Sequence, residues 1–112
     1  MDGEGRLFFA IGVDIDEQVE ADFNEWYNAD HLPTVVGCPG FVRGCRYMVE
    51  DEGLPRYWAI YEVESKEALR TPELRAISGF RHFEPHIRNQ QLHWVRSRSP
   101  MIEHVALGGH PE

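Results

Sequence analysis

His31 and Tyr27 lie four residues apart in the segment FNEWYNADHLP. On a helix, that spacing brings two side chains to the same side. A neutral imidazole moves protons at physiological pH. A phenol hydroxyl beside it donates a hydrogen bond to an oxygen on which negative charge develops. Asn28, three residues before His31, is placed to orient the ring, and Trp26 stands next to the pair. Each residue also has a plainer reading. His31 suits a turn at a helix end, bonded to backbone carbonyls, and Trp26 suits core packing. The tyrosine hydroxyl needs a partner, which favours Tyr27 as the member that faces a substrate.

Other residues add to this chemistry. Tyr47, Tyr57 and Tyr61 fall in strand-like segments, and Tyr47 and Tyr61 are expected to line a pocket. Tyr57, Ala59, Tyr61 and Val63 share one strand face, while Trp58, Ile60 and Glu62 share the other; the sequence leaves open which face meets the helices. Arg43 and Arg46 alternate onto opposite faces, and an inward arginine would bind a carboxylate or enolate oxygen. Glu62, inside an apolar strand, is either an edge charge that discourages aggregation or a buried acid with a raised pKa.

In HFEPH, His82 and His86 have the i, i+4 spacing of a helical metal site. Pro85 interrupts that helix, however, and no third ligand follows, so no metal is expected. His86 is placed at the pocket mouth. The sequence leaves open whether haem or metal binds through His82, His86 or His93. There is no nucleophile elbow, phosphate loop or dinucleotide fingerprint, and no cofactor is expected. Cys38 and Cys45 match neither a CxxC pair nor a zinc pattern, and read as free thiols.

Composition narrows the class of partner. With 19 acidic against 11 basic residues, the net charge of −8 opposes nucleic-acid binding, which needs a surplus of Lys and Arg. No apolar run approaches the roughly 20 residues of a membrane span. The opening MDGEGR is acidic and glycine-rich, unlike a signal peptide, which suggests a cytoplasmic protein. At 112 residues the chain suits one domain, expected over residues 1–98, with 99–112 as an arm or tail.

The elements that position these residues follow from pattern. Arg6 to Asp14 is too short an apolar run for a helix and reads as a buried strand. Asp14 or Asp16 would cap an amphipathic helix from Asp16 to Ala29, which Leu32-Pro33 breaks or re-aims. Phe41 to Val49 and Arg56 to Glu64 form a hairpin of strands. Ser65 caps a short helix containing Lys66 to Arg70, and Thr71-Pro72 starts a second helix that ends near Ser78. Residues 80 to 87 are ambiguous because of Pro85, and Gln90 to Arg98 is the last strand. The order β-α-β-β-α-β is that of a ferredoxin-like α+β domain: a four-stranded antiparallel sheet with helices on one face. The other face would expose Trp and Tyr to water, which predicts a homodimer with sheet against sheet.

Trp26, Tyr27, His31, Pro39, Gly40 and Phe41 together resemble the EthD-like branch of the dimeric α/β barrel superfamily. The shared pattern is an aromatic-rich helix end, a His about eight residues before Pro-Gly, and a Phe that opens a strand. The resemblance implies a pocket between helix and sheet at this corner, with His31 and Tyr27 catalytic and Trp26, Asn28, Phe41, Tyr47, Tyr61 and His86 contacting the substrate. The superfamily holds isomerases, cyclases, cofactor-free monooxygenases and haem enzymes, so the fold does not select a reaction. The expected function is a cofactor-independent isomerase, cyclase or lyase. It would act on a hydrophobic oxygenated molecule such as a lactone, phenol or polyketide-like compound. A cofactor-free monooxygenase and a non-catalytic binding module are the alternatives.

Overall fold

In the computed structural model, which describes residues 5–98, four strands form one antiparallel sheet. They are β1 (Leu7–Ile15), β2 (Phe41–Met48), β3 (Tyr57–Val63) and β4 (Ile87–Arg96), in the spatial order β2-β3-β1-β4. The two most apolar segments are the two central strands. The charged and amide side chains of the sheet concentrate on β2 and β4, the edges, where they discourage pairing with further strands.

The first helical stretch is longer than the pattern suggests. It runs as a 3₁₀ turn (Glu17–Val19), α1 (Glu20–Trp26), a π turn (Tyr27–His31) and α2 (Leu32–Val36). Pro33 does not break it. The Leu32 N–H reaches back five residues to the Tyr27 carbonyl, and Pro33 falls in the first turn of α2, where a missing N–H costs little. Asp16 stands at the N-cap position, as one of the two expected residues, but neither its side chain nor that of Asp14 caps the start. Asp16 instead takes His86 Nδ1 at 3.0 Å and Arg88 Nε at 2.9 Å. Asp14 accepts the Arg56 backbone N–H and the Asn89 side-chain amide. Donors beside β3 and at the start of β4 occupy these carboxylates and leave neither for the helix end.

The second helical stretch follows its cap signals. Ser65 Oγ accepts the Glu67 N–H ahead of the 3₁₀ turn Lys66–Arg70, and Thr71 Oγ1 accepts the Leu74 N–H at the start of α3 (Pro72–Ile77). The ambiguous segment is a 3₁₀ turn, Arg81–His86, that buries Phe83. The strand after it starts at Ile87, earlier than expected. The expected arm or tail, 99–112, lies outside the described residues.

All helical segments pack on the face that carries Tyr57, Ala59, Tyr61 and Val63. In register with these are Val13, Ile11, Phe9 and Leu7 of β1. Phe23 of α1 is completely buried and makes ring contacts with Trp26, Tyr27, Phe80 and Phe83. Burial of such a side chain contributes about 1.5–3 kcal/mol. The opposite face carries Ala10, Gly12, Tyr47, Trp58, Ile60 and His93. Trp58 lies over Gly12, where a Cβ would come 2.4 Å from Cε2. Glu62 sits on this face of a central strand, so it is not an edge charge; it pairs with Arg43 at 3.1 Å across the hairpin.

Candidate functional site

The π turn sets the site. Tyr27 and His31 open and close it, both rings point toward the sheet, and both are buried. Their centroids are 4.9 Å apart, edge to face. Trp26 stacks on His31 at 4.6 Å, so the imidazole is held between two aromatic rings. Single π turns inside α-helices recur at functional sites because they re-aim side chains that a regular helix would carry elsewhere.

Tyr27 and His31 line a cavity of about 280 Å³ between the helices and the sheet. Phe9 and Ile11 of β1, Tyr61 of β3, Phe41, Leu69 and Phe80 supply much of its apolar wall. A dry cavity of about 150 Å³ holds a benzene, so this one has room for a one-ring or compact two-ring compound. Tyr61 reaches the cavity because its partner in register is Gly44. A Cβ on Gly44 would come 2.8 Å from the Tyr61 ring and 3.0 Å from Val36.

The polar groups in this wall are few. The Tyr27 and Tyr61 hydroxyls are hydrogen-bonded to each other at 3.3 Å. Burial pushes both phenols above their ordinary range, and Arg46 nearby pulls both back. The Arg46 guanidinium lies 4.4 Å from the Tyr27 ring centroid, a cation–π contact. Burial lowers the His31 pKa to about 4; Arg81 acts in the same direction and Asp30 against it. The ring is therefore neutral at pH 7 and free to accept a proton. Among the described residues, no hydrogen bond ties either of its nitrogens.

Four of the expected site residues meet in the cavity: His31, Tyr27, Tyr61 and Phe41. Trp26 does not line it but backs His31. The other three expectations are corrected. Asn28 is exposed and does not orient His31; its Oδ1 accepts Arg46 Nη1 at 3.0 Å. Tyr47 is half exposed on the opposite face of the sheet, in register with Trp58, because strand side chains alternate. His86 is held by Asp16 on the outside of the domain and does not line the cavity. His82 packs on Phe83 and His93 stacks on Trp58, so neither reaches the cavity. None of these three histidines could offer a ring nitrogen to a haem bound there. Sequence reasoning weighed Arg46 only as an alternative and missed Phe9, Ile11, Leu69 and Phe80. The alternation of Phe9 and Ile11 on one strand face was the available signal for two of them.

Strand order, the single helix layer and a cavity beneath it define a ferredoxin-like α+β domain. A family model described as "Domain of unknown function (DUF4286)" matches residues 6–71, and the chain belongs to that family. Solved structures agree on the fold. A dimeric ferredoxin-like protein from an uncultured marine organism superposes with a TM-score of 0.64 at 15% identity, over 91% of this chain and 96% of that one. An ethyl tert-butyl ether D (EthD) family protein from Bacillus halodurans gives 0.58 at 12% identity, over 79% and 96%. SnoaB, a cofactor-independent oxygenase from Streptomyces nogalater, gives 0.60 at 18% identity, over 88% and 98%. At these identities the likeness shows the fold alone, and so carries the EthD-like resemblance no further than architecture. No curated protein sequence matches the chain. Among the described residues, no helix is long and apolar enough to cross a membrane. No group of three or more His, Cys, Asp or Glu is arranged there to hold a metal ion.

Proposed function

We propose that this protein is a small cofactor-independent enzyme of isomerase, cyclase or lyase type that acts on a hydrophobic oxygenated molecule: a lactone, a phenol or a polyketide-like compound. One observation carries the reading: a neutral imidazole and a pair of phenol hydroxyls open onto the same apolar cavity. With a substrate carbonyl against the tyrosine pair, the neighbouring C–H faces His31. His31 takes that proton as the electron pair moves onto the carbonyl oxygen. The hydroxyl pair donates to the resulting enolate oxygen. His31 then returns the proton to a different atom, or a leaving group departs from the enolate. An imidazole of low pKa gains affinity for the proton only as the enolate charge appears beside it in a medium of low dielectric constant. The proton therefore stays close to the substrate and is readily returned.

Two copies are proposed to pair through the open face of the sheet, where Tyr47 and Val95 are half exposed and Trp58 stacks on His93. The test of the enzyme reading is deuterium exchange from heavy water into a panel of enolisable lactones and phenols, read by mass spectrometry. The wild-type protein should label at least one compound. His31→Gln should slow labelling by about 10²–10⁴, the usual contribution of a general base. Equal labelling by both proteins would sink the catalytic role of His31. Oxygen uptake with a phenol would instead assign the same base and cavity to cofactor-free oxygenation, the chemistry named for SnoaB.

A further inference from the structure

The cavity's two hydroxyls differ from an ordinary polar contact in what lies behind them. A hydrogen bond between two tyrosines uses one of their two hydroxyl hydrogens, and the other remains for a third oxygen. The pair is thus a short chain with one outward donor. Arg46 lies over the Tyr27 ring, half-buried, with its guanidinium carbon 5.5 Å from the Tyr57 ring and 5.7 Å from the Phe23 ring as well. Arg46 Nε is buried with no hydrogen-bond partner, and Nη1 reaches only the neutral amide of Asn28. Among the described residues no carboxylate pairs with this guanidinium. Arg43, three residues earlier and on the other face, has Glu62. The contrast leaves a half-buried cation for which no described carboxylate supplies the compensating charge.

From this geometry we infer that Arg46 is a positioning residue that gives the Tyr27–Tyr61 pair a preference for an anionic oxygen, so that the cavity takes phenols and enols in their ionised form. The inference rests on reading the cavity as a ligand site. Guanidinium, ring, hydroxyl pair and ligand oxygen form one polarised series, with the positive charge at one end and the ligand at the other. The other charges around the cavity are less effective. Glu84 lines it, but its side chain is exposed and its carboxylate accepts the Phe80 N–H. Asp30 and Arg81, beyond His31, are exposed and of opposite sign. Glu20, near Tyr57, accepts the Tyr57 hydroxyl and lies 3.8 Å from Arg56. Water screens exposed groups more than a half-buried guanidinium.

The probes are 4-nitrophenol, whose absorption reports its ionisation, and nitrobenzene, a neutral compound of the same outline. In the wild-type protein, bound 4-nitrophenol should ionise at a lower pH than free 4-nitrophenol. In Arg46→Met that shift should shrink by about one pH unit, equivalent to about tenfold weaker binding of the phenolate, with nitrobenzene affinity unchanged. Arg46→Lys should restore part of the shift. An unchanged ionisation pH in Arg46→Met, or a wild-type cavity that holds the neutral phenol, overturns the inference while leaving the cavity a ligand site. If neither probe binds the wild-type protein, the reading of the cavity fails first and takes the inference with it. Arg46→Gln offers a second removal of the charge should the methionine variant not fold, and the wild-type spectrum needs neither.

Discussion

Protonation of His31 ought to destabilise the fold, by an amount the structure allows to be worked out. The ring is 8% exposed, stacked between Trp26 and Tyr27, and its pKa falls from an ordinary 6.5 to about 4. A histidine whose folded pKa lies below its unfolded value binds fewer protons in the native state than in the unfolded one. Stability is then full above pH 6.5 and is lost as the pH falls toward 4. Between pH 7.5 and 5.0, these two values give a loss of about 2 kcal/mol. That is a large share of the 5–15 kcal/mol that holds a typical domain together. Asp16, whose carboxyl His86 and Arg88 hold below its ordinary 3.8, begins to titrate only under this window. The assay is urea unfolding at the two pH values, followed by tryptophan fluorescence, for the wild-type protein and for His31→Asn. The variant will be weaker at both because it loses ring packing, but it should lack most of the pH-dependent step. Equal losses in both proteins would refute the reasoning, as would a His31 ring proton that titrates near 6.5 in an NMR experiment.

Two further substitutions probe the two faces of the sheet. Phe23→Ala removes the fully buried ring at the centre of the aromatic cluster and should cost about 3–5 kcal/mol; a change under 1 kcal/mol in urea unfolding would show that the cluster does not hold the helix to the sheet. Gly12→Ala puts a methyl group into the Trp58 ring, and relieving that overlap should cost about 1–3 kcal/mol and alter the near-ultraviolet circular dichroism of Trp58. Because Gly12 lies across the sheet from the cavity, ligand affinity should not change; a large loss of affinity would mean that the two faces are coupled.

What could be read from the sequence was set by local rules. The strand-helix order, the caps at Ser65 and Thr71 and the apolar runs of β1 and β3 depend on neighbours a few residues away, and composition reveals them. His31 with Tyr27, and Phe41 after Pro-Gly, were visible for the same reason. The misplaced residues depend on facts that spacing does not encode. Tyr47 and Tyr61 are equally strand-like, and only the packing of the helices decides which face is inside. Asn28 sits three residues from His31, yet Arg46 arrives from a strand eighteen residues later and takes it. The carboxylate of Asp16, expected at a helix start, is claimed by His86 and Arg88 from seventy or more residues downstream. The continuation of the helix past Leu32-Pro33 was hidden because a proline normally ends one, and the π turn that tolerates it has no compositional mark.

That turn gives the site an unusual genetic dependence. A helix advances about 100° per residue, so a π turn amounts to one residue more than the regular spiral needs. Removing a single residue such as Ala29 would let the spiral close normally and leave the turns before and after it in register. Tyr27 and His31 would then stand three residues apart, still on one side of the helix, but without the offset by which the wide turn aims the imidazole. Position within this site is thus carried by chain length as well as by residue identity. The loss of one codon would change the spacing of base and hydroxyl in a single step and leave a perfectly good helix behind.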